Sequence, residues 1–247
     1  MAYKTNLGGA TATFAGMMKD GFGIVTVMNA YVCNALDVAE YEKLTAYEIA
    51  NATYTEGTDT VLKAAGQDDN TPAIKTKVLC KLDTLKIANV TQEGPNKTIT
   101  GGQYSNPLIK FGKSARLEMQ DALGNSAAIE ALCGGIQEWN TDTSEKLVGL
   151  HFGEDFQGPK MIIGDSFFID RKTGQQVKVK IVFYQFLPDS IFNLTQDAEG
   201  DATVFDMNGD LLTTEILVAK SNAEGTAIEN ATHGVFYSIV DPTEGNE

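Results

Sequence analysis

A chain of 247 residues, 43% hydrophobic and 21% charged, has enough apolar mass to bury a core, as one large β domain or two small ones. Its formal charge of −14, from 33 acidic against 19 basic residues with no basic run, excludes a nucleic-acid binder that works by neutralising phosphates. Cys33, Cys80 and Cys133 are too few and too far apart for a disulfide framework or a CxxC metal site, and no stretch approaches the roughly 20 apolar residues of a membrane span.

Met1-Ala2-Tyr3-Lys4 lacks the apolar core of a signal peptide, so synthesis inside a cell with reduced, buried cysteines is expected. With 24 glycines and 6 prolines the chain reads as turn-rich and mainly β. Residues 1–21 are small and Gly-rich. They are expected to form a flexible arm or first strand, anchored by Phe14 and Met17-Met18. Ile24, Val25, Val27, Tyr31 and Val32 mark a buried strand or hairpin within 22–36.

Residues 37–51 have two readings. Val38, Tyr41 and Leu44 fall at helical spacing behind a potential Asp37 cap, while Tyr47, Ile49 and Tyr54 fit the start of a strand. Residues 55–73 read as a long, acidic, exposed loop carrying Glu56, Asp59, Asp68 and Asp69, and loops of that length are more often functional than idle.

Val78, Cys80 and Leu82 alternate with Lys77, Leu79 and Lys81, and Leu85-Lys86-Ile87 continues a strand. Ala115, Leu117 and Met119 predict another half-buried strand. The period then changes: Asn125 or Ser126 caps a short helix whose stripe is Ala128, Ile129 and Leu132, closed by Gly134. Residues 139–158 read as a polar connector interrupted by an apolar run at 147–152.

The stretch 161–205 predicts strand, tight turn, strand and a proline corner. Met161-Ile162-Ile163 and Phe167-Phe168-Ile169 form the first run, and Gly174 supplies the positive φ of the turn. Val177, Val179, Ile181 and Phe183 form an apolar row, with Lys178, Lys180, Val182 and Tyr184 as a mixed row towards solvent or a neighbour. Pro188 ends that strand, 190–196 resumes one, and a turn at 198–201 leads to Val204-Phe205-Asp206. Further strands are expected at 216–218 and 235–240, before an acidic, frayed tail at about 241–247.

No residue pattern supports catalysis. His151 and His233 lie in strand-like runs without a nucleophile elbow, and there is no HExxH or P-loop. Asp206-x-Asn208-x-Asp210 starts like an EF-hand loop, but Leu211 and Leu217 stand where its glycine and bidentate glutamate belong. A turn with Asn208-Gly209 at its tip is the expectation there. The carboxylate pairs Glu154-Asp155 and Asp68-Asp69 sit in polar loops, where ionised and solvated is the default. No enzyme, cofactor or metal is expected.

Two segments together resemble the major tail tube proteins of long-tailed (siphophage-type) bacteriophages. The first is Leu117-Glu118-Met119-Gln120-Asp121-Ala122-Leu123-Gly124, running into the helix 126–132 and Gly134. The second is Gly164-Asp165-Ser166-Phe167-Phe168-Ile169-Asp170-Arg171-Lys172-Thr173-Gly174. It is followed by Leu187-Pro188 and Ala198-Glu199-Gly200-Asp201-Ala202-Thr203-Val204-Phe205-Asp206. The match spans roughly 114–212, and its specificity lies in the order of the pieces.

The resemblance implies one domain over 1–247, mainly β with a short flanking helix (α+β), of β-sandwich or barrel-like tail tube fold. It implies a structural virion protein made in the host cytoplasm, whose hexameric rings stack into a tube that conducts genomic DNA without binding it. Implied partners are copies of itself and other tail proteins (tape measure, tail tip, terminator), with no membrane. On this reading Glu56, Asp59, Asp68 and Asp69 are candidate contacts between rings or subunits. A capsid-decorating or host-adhesion β domain is the alternative.

Overall fold

A computed structural model describes residues 14, 17–18, 22–24, 27–63, 73–83, 85–94, 96–98, 108–110, 112–121, 125–140, 146–154, 156–170, 174–191, 205–221 and 228–242. The strands of the first half are β1 (Phe22–Ile24), β2 (Met28–Asn34), β3 (Asp59–Leu62), β4 (Ile74–Leu82), β5 (Leu85–Glu93), β6 (Asn96–Thr98), β7 (Leu108–Lys110) and β8 (Ser114–Asp121). The rest are β9 (Gly135–Trp139), β10 (Leu147–Phe152), β11 (Lys160–Asp170), β12 (Gln176–Pro188), β13 (Phe205–Leu211), β14 (Thr214–Ser221), β15 (Ile228–Val235) and β16 (Tyr237–Val240). Helices α1 (Val38–Tyr41), α2 (Ala46–Asn51) and α3 (Ser126–Cys133) are short. The fold is therefore mainly β and antiparallel, with more helix than the single one expected.

The β11–β12 hairpin is the axis. Its strands pair over most of their length, and Gly174 takes φ +68 in the connection, as the turn chemistry requires. From it the sheet extends in the order β3-β4-β2-β11-β12-β13-β8-β5, with β1 beside the far end of β11 and β16 beside the middle of β12. β4 and β5 follow one another at residues 82–85, yet they stand near opposite ends of that order. The sheet must therefore curl enough to let the short link at 82–85 join these two strands. The expected continuation of one strand through Leu85-Lys86-Ile87 is corrected: the chain turns there into a second strand that pairs with β8.

Curling separates two cores. Inside lie Val32, Cys80, Leu117, Ile162, Phe183 and Phe186, all essentially inaccessible, and α3 covers them with Ala128 and Leu132. That helix forms where the apolar period changes. The Asn125 side chain accepts a hydrogen bond from the Ala128 N–H at 2.6 Å, and Gly134 ends the helix at φ +75.

Outside lie the opposite faces of the same strands, through Cys33, Val78, Met161, Ile163, Val182 and Tyr184. α1, α2 and the turn between them cover these faces with Tyr41, Ile49 and Leu44 respectively. The mixed row expected to face solvent or a neighbour divides: Lys178 is exposed, whereas Val182 and Tyr184 are fully buried, because the helices give β12 a second apolar partner.

Residues 37–51 resolve to two short helices, Val38–Tyr41 and Ala46–Asn51, joined by a turn. The Asp37 N–H donates to Glu40 Oε2 at 3.1 Å. At α2, the Thr45 N–H donates to Glu48 Oε2 at 2.8 Å and the Glu48 N–H donates to Thr45 Oγ1 at 3.3 Å, a full capping box. Three buried tyrosines stitch the outer layer. Tyr41 donates to the Tyr184 carbonyl at 2.5 Å, Tyr184 to Ser238 Oγ at 2.7 Å and Tyr54 to the Ile49 carbonyl at 2.6 Å.

Three more expectations change. The loop at 55–73 contains β3, where Thr60 and Leu62 are buried against β4; the acidic residues around it masked a short alternating strand. The connector at 139–158 contains β10, which pairs with β9 as a hairpin. Asn208 and Gly209 form no turn tip but lie within β13, where a Cβ on Gly209 would come within 2.2 Å of the Leu187 carbonyl oxygen. Glycine is there for close backbone approach. Phe14 stacks on Phe168 with ring centroids 5.6 Å apart, and Met17 is buried while Met18 is exposed. The strand expected over 190–196 is not yet formed at Ser190 and Ile191, and Asp241 at the start of the expected 241–247 tail is buried. The rest of that strand, residues 243–247, the rest of the 1–21 arm and the turn at 198–201 lie outside the described residues.

Candidate assembly surface

The β13-β8-β5 end of the main sheet presents one face outward. Alternation sends Ala115, Leu117 and Met119 inward, so Arg116, Glu118 and Gln120 face out. Register aligns them into cross-strand rows: Asn89, Glu118 and Asn208 in one, Thr91, Arg116 and Asp210 in the next, and Gln120 with Asp206 in a third. Arg116 organises this face. Its guanidinium bonds Asp210 at 3.2 Å and both oxygens of Asp189, just past the proline corner. The bonds to Asp189, followed by those to Asp210, hold the guanidinium still further above its ordinary pKa.

Four carboxylates, at Glu118, Asp189, Asp206 and Asp210, thus share this outward face with one arginine. β5 pairs only with β8 among the described residues, and residues 91–94 are exposed on both faces. That leaves a row of backbone donors and acceptors available to a further strand.

Of the sequence-predicted contact residues, Glu56 and Asp59 are described and both are exposed, while the other two are not described. Glu56 precedes Gly57, which turns at φ +77 and donates to the Val78 carbonyl at 3.0 Å. Asp59 opens β3 opposite Lys77 of β4. It borders a shallow polar cavity of about 310 Å³ with Asp37, Glu40, Lys75 and Lys77. Asp68 and Asp69 lie outside the described residues, as does Asp155.

The β9–β10 hairpin stands apart from the main sheet. Ile136 (50% exposed), Trp139 (46%), Leu147 (41%), Val148 (57%) and Phe152 (47%) give it apolar side chains on both faces, and Phe156 beyond it is 83% exposed. Beneath Trp139 runs a groove of about 510 Å³, walled by Val78 and Leu79 of β4 and by Ala127 and Ala131 of α3. Lys160 borders the groove although only 8% exposed. Among the described residues its ammonium reaches the Gln157 amide oxygen at 3.5 Å, and burial pulls its pKa down.

The remaining reactive side chains are used structurally. His151 Nε2 lies 2.7 Å from Glu138 Oε2 across the hairpin. His233 pairs across from Ile216, and its Nε2 is buried without a hydrogen-bond partner. Burial, with Cys80 beside it, pushes the Cys33 thiol up to about 12, and burial pushes Cys133 up to about 11. Such thiols are poor nucleophiles. Asp206, Asn208 and Asp210 lie along an extended strand, where a metal loop has no place to close. Among the described residues no cluster of three histidine, cysteine, aspartate or glutamate side chains has metal-binding geometry, and no helix is long and apolar enough to cross a membrane.

Sequence reasoning missed the Arg116 bridge because its partners are 73 and 94 residues away. It missed the hairpin surface as well, although aromatic residues inside a polar connector were the available signal. No protein-family model matches the chain, and no curated protein matches it.

Proposed function

We propose that this chain is a structural subunit of a bacteriophage virion. In this reading it oligomerises into stacked, hexameric rings that form the tail tube through which DNA passes during ejection. The observation that carries the reading is the pairing of two features at one end of the sheet: an available β5 edge beside an outward face rich in carboxylates. A ring closed edge to edge removes strands that otherwise invite aggregation. A lumen presenting Glu118, Asp206 and Asp210 repels phosphate and lets DNA slide without adhesion. The ordered sequence likeness over 114–212 supports the same reading, with other tail proteins meeting the ends of the tube and no catalysis required.

Negative-stain electron microscopy of the purified protein over a concentration series, with sedimentation alongside, tests it. Rings or hollow tubes of regular diameter are expected. Compact monomers or trimers at every concentration, even with a tail-tip complex added as initiator, would refute it and favour a capsid-decorating or adhesion domain.

A further inference from the structure

A charge taken out of water is costly unless a counter-charge or strong hydrogen bonds replace the lost hydration. Lys180 meets that condition: half-buried, it donates to the Ala50 carbonyl at 2.6 Å, at the end of α2 where a cation is favoured. Lys160 does not. It is only 8% exposed, and among the described residues its ammonium has one polar partner, the neutral Gln157 amide at 3.5 Å, and no carboxylate. Burial draws its pKa down, the direction that a bound anion would reverse.

The ammonium borders the groove of about 510 Å³ beneath Trp139, a volume typical of small-molecule sites. Local sequence opens that groove. Ala127, Glu130 and Ala131 fall at i, i+3 and i+4 and turn one face of α3 towards it, where two alanines leave room that larger side chains would fill. Val78 and Leu79 form another wall, Trp139 adds an aromatic surface, and the Gln137 and Gln157 amides supply neutral donors and acceptors. Apolar walls, a few convergent polar groups and a perturbed amine are the ingredients of a binding site.

Charge narrows the ligand. Glu130 at the groove, with Glu138, Asp142, Glu145, Glu154 and Asp155 in the sequence flanking Trp139 and Gln157, makes the approach acidic. Phosphates and other polyanions are repelled there. A single carboxylate on a flat apolar body avoids most of that repulsion, because its charge ends at Lys160 and its ring meets apolar walls.

We propose that the groove beneath Trp139 binds a small aryl monocarboxylate, with the carboxylate on the Lys160 ammonium and the ring between Trp139 and the alanine face of α3. The inference goes beyond the tube reading and does not rest on it, since every subunit carries the groove.

Trp139 is the single tryptophan of the chain, so its emission reports on the groove. Benzoate is titrated into dilute, unassembled protein, with tryptophan emission and calorimetry on the same samples. Benzamide, of the same shape without the charge, is the reference. A saturable emission change is expected, with benzoate bound about tenfold tighter or more than benzamide. Lys160→Met keeps the apolar stem and removes the charge. It should reduce benzoate to the affinity of benzamide while thermal unfolding stays level or rises. Lys160→Arg should keep the preference for benzoate, and so should Lys77→Met, which removes an exposed cation of the same groove.

Equal affinity for benzoate and benzamide, or a preference that survives Lys160→Met, would overturn the assignment. No heat and no saturable emission change at millimolar benzoate would do the same. Assembly that shifts the tryptophan emission and shuts benzoate out would overturn it in favour of a neighbouring copy as the occupant.

Discussion

Gly209→Ala should destabilise the subunit although it adds one methyl group to a small residue. The added Cβ would lie 2.2 Å from the Leu187 carbonyl oxygen and 2.7 Å from the Phe186 ring, whereas real Cβ contacts stay beyond 3.0 Å. Relief requires backbone movement of nearly an ångström, because the nearest obstacle is a carbonyl and not the end of a flexible side chain. That movement would pull apart the pairing of Leu187 with Asp210 and Pro188 with Gly209, two of the three residue pairs that join β12 to β13 among the described residues.

Overpacking of this kind costs about 1–3 kcal/mol. Against it stands a gain of about 0.4–1 kcal/mol from restricting the unfolded chain. A net loss of about 2 kcal/mol is expected, since a backbone obstacle places the first figure at its upper end. With a urea slope of about 2–3 kcal/mol/M, the unfolding midpoint should fall by about 0.7–1 M. Gly158→Ala is the control: nothing lies within 4 Å of its Cβ position, so only the unfolded-chain gain remains and its midpoint should rise by about 0.1–0.5 M. A Gly209→Ala midpoint within about 0.2 M of the wild type, on the same slope, would refute burial of β13 at this point.

Burial holds the hydroxyls of Tyr41, Tyr54 and Tyr184 well above their ordinary value of 10.0. Raised folded values mean that their contribution is complete below pH 10 and is lost above it, as only the unfolded chain releases those protons. Absorbance near 295 nm should therefore show these tyrosinates appearing together with alkaline unfolding; their appearance while circular dichroism stays native would contradict the packing. Cys33, Cys80 and Cys133 are all buried, so a thiol reagent at neutral pH should label none of them rapidly in the folded protein and all three in denaturant. Fast native labelling would show that the cores open. Glu118→Lys and Asp206→Lys together should change stability by less than about 0.5 kcal/mol, since both are exposed. Tubes made from this variant should retain double-stranded DNA at low salt and release it at high salt, and unchanged DNA passage would argue against a lumenal position for that face.

Local pattern was enough for much of the secondary structure. Alternation in 78–82, 115–119 and 177–183, the Asn125-to-Gly134 helix and the Gly174 turn depend on neighbours within a few residues, and each lies where those neighbours direct it. The capping boxes behind α1 and α2 are equally local, yet the competing apolar spacing at Tyr47, Ile49 and Tyr54 left helix and strand open until Tyr41 and Ile49 had a sheet face to cover.

What only the tertiary structure decided was partnership. β12 is apolar on both faces because helices lie over one of them. Gly209 is a close-approach glycine because β13 runs beside the proline corner. The acidic segment after Glu56 yields a strand because β4 accepts it. Glu118, Asp206 and Asp210 become one surface through register alone. Strand pairing joins residues tens of positions apart, and nothing in the local sequence states which edge a strand will meet. Side-chain period could therefore say which residues turn inward, while the identity of the open edge and of the uncovered hairpin waited on the curl of the whole sheet.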